Sequence, residues 1–500
     1  MQYRDPVIPG FFPDPSCCRV GNTYYLVASS FQFFPGVPLF ESHDLVNWTQ
    51  IGHVLTRESQ LPLMQADSTG GIYAPTIRYR DGRFYMVTTN VTHGGNFYVW
   101  TDDIHGEWSD PIYVEQDGID PSLYFEDDKV YFMSNGTDDA GEHGIVQCEI
   151  DIETGKKLTP ARCIWKGAGG RFLESPHLYK IGGYYYLMAS EGGTEYGHMV
   201  VYARGTNVYG PFESYAGNPV LTNRNLGGYL LQGCGHADLV DDPAGNWWMV
   251  HLGFRQLNEW VMHHITGREV YLTPVTFGQD GWFTAGDDGT ARLYVETDRI
   301  PDTVTQRPPE TMTFANTRPG VEWCWMKAPQ RDRYDLSEKA YRLRSCGNSL
   351  DSPVEAPTFL GIRQQEMMFR LSVTLDVAEE EAGVTCYMTP EQHYELAVRR
   401  TEDGIEVFKR RTIGDLSVES DHVALPAGPV ELCIEGSHFT YTFSVKAGGE
   451  IHWLGSALTK YLSTEVAGNF TGVMLGLYAQ GAASEAFATF TAFSCKWQQD

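Results

Sequence analysis

Asp14-Pro15-Ser16, followed by Gly21-Asn22-Thr23-Tyr24-Tyr25-Leu26-Val27-Ala28-Ser29, is the phrase on which the fold turns, because the chain repeats it. It returns as Ala74-Pro75-Thr76 with Asp81-Gly82-Arg83-Phe84-Tyr85-Met86-Val87, and as Asp120-Pro121-Ser122 with Asp127-Asp128-Lys129-Val130-Tyr131-Phe132-Met133. A fourth copy is Ser175-Pro176-His177 with Gly182-Gly183-Tyr184-Tyr185-Tyr186-Leu187-Met188. A looser fifth is His236-Ala237-Asp238 with Ala244-Gly245-Asn246-Trp247-Trp248-Met249-Val250. Each copy is a short strand, a turn built on Gly or Asp, and a second strand rich in aromatic and apolar residues. A strand hairpin recurring every ~45–60 residues marks a propeller with one hairpin per blade. Five copies predict five blades.

The first strand of each blade is expected to line the central axis, so residues that open the five copies converge although they lie far apart in the chain. Those positions hold Asp14, Asp120 and, one residue before the fourth copy, Glu174. Three carboxylates meeting at a propeller mouth can hydrolyse an acetal if one acts as acid and another as base. Glu174 has the longer arm for reaching a leaving oxygen, and a carboxylate at Asp120 is expected to raise its pKa by like-charge repulsion. His236 and Arg268 offer a neutral and a positive partner on the same face. An Asp-Pro pair also caps turns, and two copies carry no acid in register, so spacing alone leaves the structural reading open.

Bulk properties narrow the class. At 500 residues the chain exceeds one ordinary core, and two domains are expected. Aromatic content of 13% suits β-sheets and sugar-stacking clefts alike. With 37 basic against 64 acidic residues, the formal charge of −27 argues against nucleic acid and anionic membranes as partners and for a neutral substrate. No apolar run approaches the ~18 residues of a membrane span. The start, Met1-Gln2-Tyr3-Arg4-Asp5-Pro6, lacks a basic-then-apolar leader, and ten scattered cysteines read as reduced, so a cytoplasmic location is expected.

Along the chain, Ser30-Phe31-Gln32-Phe33-Phe34-Pro35-Gly36-Val37 follows the strand after Asp14 and reads either as core or as an aromatic wall for a sugar. His263-His264 read as strand or loop residues. Gly167-Ala168-Gly169-Gly170 lacks the strand-to-helix setting of a phosphate loop. The propeller is expected over 1–300. Pro301, Pro308, Pro309 and Pro319 mark a linker, taken as 301–315. From 316 to 500 alternating strands without helical period predict a β-sandwich.

Gly10-Phe11-Phe12-Pro13-Asp14-Pro15-Ser16, Gly118-Ile119-Asp120-Pro121-Ser122, Leu173-Glu174-Ser175-Pro176-His177-Leu178-Tyr179 and Gly233-Cys234-Gly235-His236-Ala237-Asp238 together resemble glycoside hydrolase family 43. Thr358-Phe359-Leu360-Gly361-Ile362-Arg363-Gln364-Gln365 and Ala382-Gly383-Val384 resemble the concanavalin-like jelly roll appended to its β-xylosidase group. The resemblance implies a five-bladed β-propeller followed by a β-sandwich, and an exo-acting, inverting hydrolase of terminal pentoses. It makes Asp14 the general base, Glu174 the general acid and Asp120 the residue that tunes and orients Glu174. Phe31, Phe33, Tyr73, Ala74, Thr194, His236 and Arg268 fall where the family lines its terminal sugar subsite. No cofactor is implied. A calcium ion on the axis near His236 and a homo-oligomer are left open.

Three departures bear on specificity. Ser175 stands where the family usually has Gly. Phe33 and Tyr73 stand where xylosidases usually carry Trp. Met474 aligns best with a Phe that several relatives insert from the second domain. Smaller rings point to α-L-arabinofuranose as the preferred sugar, with β-D-xylose second, released from arabinoxylan, arabinan or xylan oligosaccharides. A predominant β-D-xylosidase is the alternative within the enzyme class. Outside it stand an inactive carbohydrate-binding propeller and a scaffold for protein partners. Retention of all three carboxylates argues against both.

Overall fold

A computed structural model describes residues 1–257, 260–314, 319–337, 339–378 and 380–499. Five four-stranded antiparallel sheets hold the five copies of the phrase. Their innermost strands are Ser16–Val20, Ile72–Arg80, Ile119–Glu126, Glu174–Ile181 and Leu231–Asp241. Each of these touches the innermost strand of both neighbours, which closes the ring. Two-residue turns close four of the five hairpins: Asp81 and Gly82 both have positive φ (51° and 87°) between the paired residues Arg80 and Arg83, as a type I′ turn requires.

Pairing skips at the Pro of the phrase or its counterpart in four of the blades, three times at a Pro, which has no N–H to give to the ladder, and once at Ala237. The residue in register before Pro or Ala takes a left-handed conformation at Asp14 (φ 57°), Asp120 (55°), Ser175 (52°) and His236 (45°). Such a bulge re-aims a side chain, here toward the axis.

One residue deeper, hydroxyls join the blades. Thr76 donates to the Pro121 carbonyl at 2.8 Å and Ser122 to the Pro176 carbonyl at 2.6 Å. On the axis, Arg78 pairs with buried Asp238 at 2.7 Å and donates to His177 Nδ1 at 2.9 Å. Ser16 (2.6 Å) and Tyr179 (2.5 Å) also donate to Asp238. Four blades therefore meet at one carboxylate.

The second body is a β-sandwich. One sheet has six strands, Thr358–Arg363, Met474–Gln480, Glu381–Thr389, Gln392–Thr401, Gly404–Ile413 and Leu416–Leu425 in spatial order, and the other has eight. Leu371, Val384, Leu396, Ile434, Phe443 and Leu477 fill the space between them. Met312–Thr313 already pairs with the last strand, inside the segment that the prolines mark as linker; two ladder residues are too few to show alternation. The stretch before it is pinned to the propeller, with Asp302 on the Met1 amine at 2.8 Å and Gln306 exchanging hydrogen bonds with the Arg4 backbone.

The sandwich packs on the propeller mouth. Trp325–Met326 pairs with Phe33–Phe34, and buried Arg255 bridges Glu269 and Glu366. Glu465, in the single helical turn Thr464–Ala467, accepts from the His264 backbone at 3.0 Å and lies 2.8 Å from its Nδ1. His264, read from sequence as a strand or loop residue, is thus a clamp between the domains. Just beyond, a Cβ on Gly472 would stand 2.4 Å from the Thr266 carbonyl, and one on Gly267 would stand 3.0 Å from Gly472 Cα. Only two glycines allow this crossing, which lays the loop around Phe470 over the ring of blades.

Candidate active site

Asp14, Asp120 and Glu174 meet beneath that loop. Asp14 accepts from Ser29 at 2.6 Å and from Arg268 Nη1 at 3.0 Å. His236 Nδ1 lies between two acids, 3.6 Å from Asp14 and 3.9 Å from Asp120. Asp120 accepts the Ser175 backbone N–H at 3.0 Å, which ties it directly to the residue after Glu174. His198 Nε2 stands 3.4 Å from Glu174 Oε1.

These partners separate the three groups electrostatically. Burial alone would raise the pKa of Asp14, but Arg268, His236 and Ser29 outweigh it and hold the group below the ordinary carboxylate range. Burial raises Glu174, and the Asp14 charge adds to it. Burial also raises Asp120, helped by Glu174 and Asp14. Two buried acids without full compensation retain a proton between them. Asp120 has a backbone N–H that stabilises its anion, whereas Glu174 has none, so the proton belongs on Glu174. The sequence expectation gave like-charge repulsion from Asp120 as the cause of the raised acid; burial is the largest cause, and the charge that adds to it is that of Asp14. His198 is fully buried and its pKa is lowered to about 4 by that burial, so a neutral imidazole faces the acid.

The walls are aromatic. Phe31 lies 5.0 Å from Tyr73 and stacks with Phe470 at 6.3 Å and 29°. Arg268 sits over Phe31 at 5.8 Å and Phe470 at 5.7 Å. Its Nη1 also donates to Thr194 at 2.9 Å, and its Nη2 to the Phe470 carbonyl at 3.2 Å. Tyr73 spends its hydroxyl on the Thr69 carbonyl at 2.7 Å. Ala74 occupies the position in register with Asp14, buried and without a carboxylate.

Two expectations need correction. Phe33 has no exposed surface; its ring is edge-on to Phe11 at 6.3 Å and its backbone pairs with Met326, so it backs the wall rather than lining the pocket. Met474 is likewise fully buried, in the layer between the domains. Phe470, four residues earlier, is the second-domain ring that reaches the site.

A pocket with one ionised and one protonated acid under an aromatic wall can cleave a glycosidic bond. The family description "Glycosyl hydrolases family 43" matches residues 3–283, which carry all three acids. The chain belongs to glycosyl hydrolase family 43. Residues 311–496 match the "Beta xylosidase C-terminal Concanavalin A-like domain". Among curated proteins, a non-reducing end alpha-L-arabinofuranosidase of Bacteroides ovatus is 40% identical, over 96% of this chain and 91% of that protein. A xylosidase/arabinosidase of Butyrivibrio fibrisolvens is 37% identical over 98% of each chain. The solved structure of a Bacteroides ovatus xyloglucan PUL GH43B superposes with a TM-score of 0.93 at 38% identity, covering 99% of this chain and 100% of that one. The protein is a glycoside hydrolase.

Several residues of this family 43 site were not singled out from sequence. His198 replaces volume that Gly235 leaves free: a Cβ there would be 2.4 Å from the ring. Phe470 carries no local motif. The Gly167–Gly170 run, read from sequence as no phosphate loop, cradles a carboxylate of the chain itself: buried Glu191 accepts from Ala168 N–H at 2.7 Å and Gly170 N–H at 2.9 Å. That carboxylate fixes the loop leading into Glu174.

Proposed function

We propose that the chain is an exo-acting, inverting pentosidase that releases terminal α-L-arabinofuranose, and β-D-xylose more slowly, from neutral pentose-containing oligosaccharides. The observation that carries this is the contrast between Asp14, held as an anion by Arg268 and Ser29, and Glu174, kept protonated by burial. Asp14 acts as the base that deprotonates water, and Glu174 donates its proton to the leaving oxygen from the other side of the sugar. Asp120 holds the acid's backbone through Ser175, and His236 spans the two aspartates. Attack opposite the leaving group inverts the anomeric centre, for which carboxyl groups ~6.5–9.5 Å apart leave room for the water. Phe470 and the sandwich close one side of the mouth, which favours a pocket for a chain end over a cleft for internal bonds.

The sugar preference rests on the walls. Phe31, Tyr73 and Phe470 are single rings, and a flat indole is absent from that set. A puckered furanose with its exocyclic CH2OH fits smaller rings, and the name of the Bacteroides ovatus relative agrees. Shape discrimination of this kind is worth about 1–3 kcal/mol, so both pentosides are turned over. Rates on aryl α-L-arabinofuranoside and aryl β-D-xylopyranoside test the assignment. A preference for the xyloside of about tenfold or more overturns it and leaves the β-xylosidase reading, which the name of the Butyrivibrio relative favours. Retention of anomeric configuration, followed by NMR, would remove Asp14 from the role of base.

The reading contains no calcium. That ion takes about 6–8 oxygen ligands. The axis below His236 carries instead the Arg78 guanidinium on Asp238 and the imidazole of His177, which do not fit it. No cluster of three metal-ligating side chains occurs among the described residues.

A further inference from the structure

Phe172 is a large apolar ring left 61% exposed two residues before Glu174. Its backbone lies at φ 53°, in the left-handed region that bulky residues avoid. The position is held firmly. Glu191 anchors the loop ahead of it through Ala168 and Gly170. The Gly192 N–H donates to the Arg171 carbonyl at 2.8 Å, and Arg171 Nε donates back to the Gly192 carbonyl at 3.1 Å. The Asn135 amide donates to the Leu173 carbonyl on the other side. Arg171, ion-paired with Glu195, covers the ring at 5.2 Å.

The ring also lies at the mouth. A Cβ on Gly193 would stand 3.0 Å from it, so the ring rests against that glycine. The next residue, Thr194, holds Arg268 and through it Asp14. A bulky residue that a surrounding network holds in the left-handed region marks a functional position rather than a packing accident.

The proposed reaction says what meets it. With the terminal pentose enclosed, the remainder of the oligosaccharide leaves on the side of the acid, past Glu174. The apolar face of a sugar ring stacks on an aromatic ring. We infer that Phe172 is the platform for the sugar that carries the leaving oxygen, and so selects substrates by their aglycone. This rests on the pentosidase reading above.

The test compares wild type with Phe172→Ala, Phe172→Leu and Phe172→Trp on two substrates. One is a short arabinose-bearing oligosaccharide, whose leaving group is a sugar. The other is α-L-arabinofuranosyl fluoride, whose leaving group is one atom. Phe172→Ala and Phe172→Leu are expected to raise KM on the oligosaccharide about 3- to 10-fold. Both should leave kcat/KM on the fluoride within about twofold of wild type, and Phe172→Trp should restore the oligosaccharide KM. Equal losses on both substrates, or no change on either, overturn the inference while the pentosidase reading stands. Failure of the wild type on the fluoride overturns both.

Discussion

Arg268 holds Asp14 at 3.0 Å with one guanidinium nitrogen and the Phe470 carbonyl at 3.2 Å with the other. The proposed base and a loop of the second domain therefore share one cation. A lysine offers a point charge without the planar fork, so Arg268→Lys cannot make both contacts. It should lower kcat/KM by about 100-fold through misplacement of Asp14 and the loop. Phe470→Ala keeps the carbonyl and removes the ring on Phe31; it should raise KM several-fold, about 3- to 10-fold, with a smaller loss of kcat. Steady-state kinetics of the two variants checks both.

Asp120→Asn removes a charge that faces Glu174 and His236. The alkaline limb of the pH–rate profile reports the acid. Without the neighbouring anion Glu174 loses its proton more readily, so the limb should move to lower pH. The shift is modest, because burial remains the main cause of the raised value. A limb that stays in place would restrict Asp120 to holding Ser175.

The same proton couples activity to stability. The folded pKa of Glu174 is raised, so the native state keeps a proton that the unfolded chain releases above its ordinary pKa of about 4.3. Stability is complete below that value and falls as pH rises toward the folded pKa. Glu174→Gln has no proton to lose. Its stability relative to wild type should rise between pH 4 and pH 8, by an amount on the order of 2 kcal/mol, while activity is abolished. Calorimetry across that range measures it.

Ser175 combines a left-handed backbone with a buried hydroxyl that has no hydrogen-bond partner. Both features cost free energy, and glycine removes both. Ser175→Gly should stabilise the protein by about 0.5–1 kcal/mol in denaturant titration with activity kept. Destabilisation would show that the hydroxyl has a partner in solution.

The fold was legible because a propeller repeats itself: five phrases of one kind became five sheets, and the phrase singled out the three acids, whose roles came from the resemblance to family 43. Side chains that depend on contacts across the chain were not. Phe33 and Phe31 are two apart in one aromatic run and share one buried cluster; the pairing of Phe33 with Met326, far along the chain, puts its ring behind that of Phe31, which meets Tyr73 and Phe470. Phe470 reaches the pocket because Gly267 and Gly472 cross closely, a coincidence between two domains that neither glycine announces. His198 faces Glu174 because Gly235 in the next blade leaves it space.

The ion pair on the axis bears on how the molecule is born. Arg78 belongs to the second blade and Asp238 to the fifth, 160 positions later. While a nascent chain emerges, the first four blades carry a guanidinium destined for burial with no counterion on offer. Such a group resists desolvation until its partner arrives. Closing the ring over a dry centre therefore waits for the last blade to be synthesised. The N-terminal strand Gln2–Arg4, which pairs with Tyr294–Glu296, waits longer still. Maturation of the propeller therefore waits for the chain to reach Glu296, and an interrupted chain that ends before Asp238 is expected to stay open and be handed to proteolysis.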